Sequence, residues 1–193
     1  VNEATDTSAG RTRRWPGYGA AAWGFLFAAP SVYWALGGTS GITSTISPAL
    51  VDLAERRVPW FVATLWVTAA LKVAGGLLGL ALLRRWGRLA SLLLELASWG
   101  AAVLLAWHGL QFIGQGALIA AGVSEVPPEI DSVVRWYTFL WGPWFILGGV
   151  LLALAARAHR PLLPDPRAAR HAALLGALGA AVVSASMLVL GIG

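Results

Sequence analysis

WFVATLWVTAALKVAGGLLGLALL, residues 60–83, carries no charge from end to end except Lys72 near its middle. A membrane-spanning helix needs about 20 such residues. A charge at bilayer depth costs about 2.5–3.5 kcal/mol on insertion scales, so Lys72 is expected to face protein rather than lipid. Helical spacing supports that orientation. The residues three and four positions away on either side, and seven positions on, are Thr68, Ala69, Gly75, Gly76 and Gly79, all small. Gly75 and Gly79 have the GxxxG spacing of closely packed membrane helices.

Four more apolar stretches flank this one, at residues 17–37, 89–121, 133–156 and 168–192. Hydrophobic residues make up 58% of the chain and charged residues 12%, about half of a soluble domain's charged fraction. The expected fold is all-α: an integral membrane bundle of five transmembrane helices forming one domain over residues 15–193. The polar residues 1–14 are expected to be a disordered cytoplasmic tail. The first apolar stretch is too long for a signal-peptide core and is expected to remain as a helix. Residues 89–121 exceed one straight span, so tilt or a bend near Gly109, Gly114 and Gly116 is expected. Pro30 and Pro143 should each disturb their helix, and residues 48–57 read as a short amphipathic helix.

Charge placement sets the expected orientation. Arg11, Arg13, Arg14, Arg84, Arg85, Arg88, Arg157, Arg160, Arg167 and Arg170 fall on one side of the five spans, and only Arg56, Arg57 and Arg135 on the other. Ten against three predicts a cytoplasmic N-terminus and an outer C-terminus. The formal net charge of +5 is therefore read as an insertion signal, with no nucleic-acid partner. The chain has no cysteine, which excludes disulfides, thiolate metal sites and cysteine lipidation. No HxxxH or ExxH spacing occurs, so no metal and no cofactor are expected.

Glu95 interrupts the next apolar stretch as Lys72 interrupts the first. Adjacent antiparallel helices would let the two meet as a structural ion pair. An unpaired carboxyl in apolar surroundings instead keeps its proton and can act as an acid. If Lys72 neutralises Glu95, the acid candidates become Asp131, its neighbour Glu129, and Asp52. His108, on one face with Gln111 and Gln115, reads as a hydrogen-bonded interface residue or a further catalytic candidate. Of eleven tryptophans, Trp15, Trp60, Trp86 and Trp136 sit at expected interfaces. Trp23, Trp34, Trp66, Trp99, Trp107, Trp141 and Trp144 lie deeper. Bulky packing accounts for these, and so does an aromatic cavity whose π faces stabilise a cation. In the second case Lys72, Trp34, Trp66, Trp107, Tyr137, Trp141 and Trp144 are the substrate-binding candidates.

The segments PSVYWALGGT (residues 30–39), LKVAGG (71–76) and WGPWFILGG (141–149) resemble an actinobacterial family of small, mostly uncharacterised multi-span membrane proteins. In size and character the chain is also similar to bacterial integral-membrane terpene cyclases of indole and meroterpenoid biosynthesis. That likeness implies cyclisation begun by protonation, without a metal. The leading expectation is a metal-independent cyclase or isomerase of a lipophilic prenylated substrate, with membrane lipid as its surroundings. The alternative is a non-enzymatic membrane protein, a small transporter or partner subunit, with Lys72 and Glu95 as a structural pair. A lipid-binding accessory protein is the third class.

Overall fold

In the computed structural model, which describes residues 3–189, the chain is helical, with no strand among the described residues. Its helices are α1 (Glu3–Ala35), α2 (Pro48–Glu55), α3 (Pro59–Ala81), α4 (Arg88–Ala120), α5 (Asp131–Trp136), α6 (Gly142–His159) and α7 (Pro166–Val189). Four helical segments are long and apolar enough to cross a membrane: Pro59–Ala81, Arg88–Ala120, Pro128–Leu162 and Pro166–Ser186. They coincide with the second to fifth expected stretches, of which residues 190–192 lie outside the described residues. At 1.5 Å per residue α3 is about 35 Å long, enough for the hydrocarbon core of a bilayer. Leu71, Leu93, Leu110 and Leu175 point outward on these helices, as lipid-facing side chains do.

Helix α1 has 33 residues but is not among those four, because Arg14 and the prolines, glycines, tyrosines and tryptophans of residues 15–35 lower its mean hydropathy. Its start lies within the stretch read as a tail. The helix begins at Glu3 rather than near residue 15, since each residue added to an existing helix gains a hydrogen bond without a new nucleation cost.

The helices do not pack in chain order. α1 lies between α3 and α6, and α4 is flanked by α6 and α7, while the consecutive helices α3 and α4 hardly touch. The core joins Trp23 and Phe27 of α1, Ala102 of α4, and Leu151 and Leu152 of α6. Between α1 and α3 the backbones nearly meet. A Cβ on Gly79 would lie 2.9 Å from the Gly17 carbonyl, and one on Gly24 would lie 3.0 Å from that of Lys72. Ala69, Gly76 and Gly79 are the buried residues of this face. Gly75 is at its edge, where an added Cβ would meet only the Trp23 ring, at 3.9 Å. The packing face is thus the expected one, rotated slightly away from the GxxxG pair.

Helix α4 runs unbroken from Arg88 to Ala120. Gly109 and Gly116 lie against the Gly142 backbone and the Thr138 side chain, so two of the glycines expected to permit a bend serve close packing instead. The disturbance expected at Pro143 is present as a π-helical turn, Tyr137–Trp141, leading into α6. Proline lacks the N–H that would bond the carbonyl four residues back, and one wider turn absorbs the mismatch.

Candidate functional site

Two polar centres lie in the bundle, and they are separate. In the first, the Lys72 ammonium donates to Ser31 Oγ at 2.9 Å and sits 3.8 Å from the centroid of the Phe27 ring. Ser31 is 2% exposed, one residue after Pro30 on the face of α1 that meets α3. Both contacts come from α1, the helix that the small residues around Lys72 allow to approach.

The second centre is Glu95, on α4. It is 1% exposed, and its Oε2 accepts from Trp99 Nε1 at 3.2 Å. Its Oε1 is buried with no protein partner. The carboxyl forms part of the wall of a cavity of about 430 Å³ together with Arg160, Leu163, Pro166, Ala169 and Arg170. The Arg160 guanidinium lies 5.8 Å from the Trp99 ring centroid. A buried acceptor without a partner costs about 1–3 kcal/mol, and this one belongs to a residue that lines the cavity. Just outside the cavity wall, Asp165 caps α7. Its Oδ1 accepts from the Ala168 amide at 3.0 Å, and its Oδ2 pairs with Arg88 at 3.0 Å. The amide bond first, and then Arg88, hold the Asp165 carboxyl below its ordinary value of 3.8.

The expected Lys72–Glu95 pair is therefore not formed. Lys72 is occupied by α1 and Glu95 faces α7, because the α3–α4 connection does not place those helices side by side. Of the other candidate acids, Asp52 and Asp131 are in exposed pairs one helical turn apart, Asp52 with Arg56 at 3.2 Å and Asp131 with Arg135 at 2.9 Å.

The expected aromatic residues are partly gathered. His108 and Tyr137 join Phe112 and Phe145 in a chain of rings with centroids 4.6–5.7 Å apart. Trp141 and Phe145 continue it to Phe27, and Trp144 stacks on Trp23. Trp23 Nε1 donates to the Trp144 carbonyl at 2.9 Å, while Nε1 of Trp107, Trp141 and Trp144 is buried without a partner. Trp34 instead bonds the Ser40 carbonyl at 3.0 Å, and Trp66 points outward, 45% exposed. Trp34 and Trp141 do share a cavity of about 510 Å³ with Tyr33 and Trp136, but no acid lines it. Glu95 and His108 are thirteen residues apart on one helix, or about 20 Å. The acid and the aromatic cluster lie at different levels of the bundle.

Sequence reasoning passed over Ser31, Arg160, Arg170 and His159. The arginines were absorbed into the topology signal. His159 is 1% exposed and its Nδ1 lies 2.8 Å from the Leu82 carbonyl. A carbonyl only accepts, so Nδ1 is the donor. Nε2 is buried without a partner. Only the steady apolar register of α6 up to His159 hinted at its burial.

Apolar helices of spanning length, lipid-facing leucines and buried charge together define a multi-span helical membrane protein. Residues 24–152, more than half of the chain, match the family described as "Protein of unknown function (DUF3995)", and the chain belongs to that family. The matched region contains Ser31, Lys72, Glu95 and the aromatic chain, and stops short of Arg160 and Arg170. No curated protein and no solved structure matches the chain.

Proposed function

We propose that this chain is a five-span protein of a bacterial, actinobacterial, cytoplasmic membrane that binds an amphiphilic small molecule by its polar head at Glu95. Its arginine-rich end, with the N-terminus, faces the cytoplasm. The observation that carries the reading is the Glu95 carboxyl, buried, half-satisfied and set in the wall of a cavity with two guanidinium groups. The carboxyl suits a hydroxyl or amine of the ligand, and the arginines suit its oxygens. Leu163, Pro166 and Ala169 supply apolar wall for the adjoining carbons. This is a binding protein in the non-enzymatic class, without the Lys72–Glu95 pair as its structural element.

The test is thermal stability in detergent with dodecylamine and with a polyprenyl alcohol as probes. Stabilisation of the wild type that is absent in Glu95→Gln and Arg170→Gln supports the reading. Equal stabilisation of all three refutes it.

A protonation-initiated, metal-independent cyclase of a prenylated substrate is the second reading, because the free oxygen of Glu95 is also where an acidic proton would be held. Trp99, not the cluster around Phe145, is then the ring beside the developing cation. Turnover of a prenylated indole lost in Glu95→Gln, and kept in Asp52→Asn and Asp131→Asn, selects this reading over simple binding.

A further inference from the structure

At the arginine-rich end, on the other side of α6 from Glu95, a cavity of about 510 Å³ opens between α1, the end of α3 and α6. Three guanidinium groups line it: Arg14 from α1, and Arg84 and Arg85 from the α3–α4 turn. Its remaining wall is apolar, including Leu82, Ala155 and Leu162, and no acid is in it. The ion pairs among the described residues engage Arg56, Arg88 and Arg135, and none of these three. Three cations thus converge on one concave space from two elements.

A second cavity of about 480 Å³ shares Arg14, Leu83 and Arg84 with the first and adds Tyr18, Leu77 and Trp86. These last three are exposed on the outer surface of the bundle. Trp86 is held there by donating to the Ala81 carbonyl at 2.7 Å, and an indole fixed at a helix end is a membrane-interface anchor. The two cavities adjoin through Arg14, Leu83 and Arg84, so a basic pocket lies next to a lipid-facing strip. Their polarity runs in the order of a phospholipid, charged head first and chains after.

We propose that Arg14, Arg84 and Arg85 bind the phosphodiester headgroup of an anionic phospholipid, whose chains run along Tyr18, Leu77 and Trp86. Guanidinium forks match phosphate oxygens in paired hydrogen bonds, which a lysine ammonium does not reproduce. A basic pocket between helices at a cytoplasmic surface recognises anionic headgroups in this way. The site goes beyond the Glu95 cavity and shares no residue with it.

Native mass spectrometry of the full chain, released from micelles holding equal phosphatidylglycerol and phosphatidylcholine, tests it. The wild type should retain phosphatidylglycerol preferentially. Removing two arginines from the pocket, in the pair Arg84→Gln with Arg85→Gln, should weaken that retention about thirtyfold. The pair Arg84→Lys with Arg85→Lys keeps the charge and the orientation signal, and should still lose part of the preference. A control pair, Arg157→Gln with Arg167→Gln, removes the same charge from exposed positions that line neither cavity. Retention unchanged in this control alone supports the site. An equal loss in the control would mean surface charge only and would overturn it. So would displacement of the lipid by equimolar inorganic phosphate, which would make the pocket a free-phosphate site.

Discussion

The Lys72 ammonium is bonded to the Ser31 hydroxyl at 2.9 Å, across the α1–α3 interface, with the Phe27 ring beside it. The cation is held by a hydroxyl and a π face from a single neighbouring helix. No carboxylate pairs with it among the described residues. Its stability consequences therefore differ from those of an ion pair.

Ser31→Ala should destabilise the protein by about 1–3 kcal/mol, because it leaves a half-buried ammonium without its acceptor. Lys72→Met should be milder, since it removes the charge together with its need for a partner. The double variant should resemble Lys72→Met alone. Thermal unfolding in detergent measures all three, and a Lys72→Met loss larger than that of Ser31→Ala would contradict the account.

Lys72→Met and Glu95→Gln should have additive effects, within about 0.5 kcal/mol, because the two residues share no partner. A double-mutant cycle checks this. A coupling above about 1 kcal/mol, twice the additive scatter, would restore the ion pair.

Close approach of α1 and α3 sets a sharp contrast between two glycines. Gly24→Ala should destabilise by about 1–3 kcal/mol, since its methyl group would run into the backbone of Gly76 and Lys72 and the helices would have to part. Gly75→Ala, which meets only the Trp23 ring at 3.9 Å, should be neutral or slightly stabilising through its better helix propensity. The unfolding midpoints of the two variants give the comparison.

Asp165 predicts an acid-labile start to α7. Its carboxyl lies below the ordinary 3.8, so its contribution is complete above the unfolded value. It is lost as pH falls through the lower folded one. Asp165→Asn should therefore be less stable than wild type at neutral pH, and the gap should close as pH falls below the ordinary 3.8 and through the lower folded value. Melting curves across that range report it, and a gap that widens on acidification would reverse the assignment.

The proposed orientation puts the α4–α5 connection outside the cell. A cysteine placed at Ser124 in this cysteine-free chain should react with an impermeant maleimide in intact cells. Labelling only after lysis would invert the topology.

The apolar stretches were legible in the sequence because a bilayer imposes one simple rule. A spanning backbone must bond to itself as a helix, and its side chains must be apolar over a fixed length. Four helices at expected positions, the inward face of Lys72 and the turn distorted by Pro143 all follow from local spacing. Partnership did not follow. Lys72 and Glu95 sit on consecutive helices, and antiparallel neighbours were the natural assumption, but α1 takes the place beside α3 and α7 the place beside α4. Which helix sits beside which depends on how backbones fit, as where Gly17 and Gly24 meet Gly76 and Gly79, and that is a relation between distant segments. The arginines show the same division. Their side of the membrane can be counted along the chain, whereas their sorting into a pocket of Arg14, Arg84 and Arg85 and another of Arg160 and Arg170 with Glu95 exists only once the helices are packed.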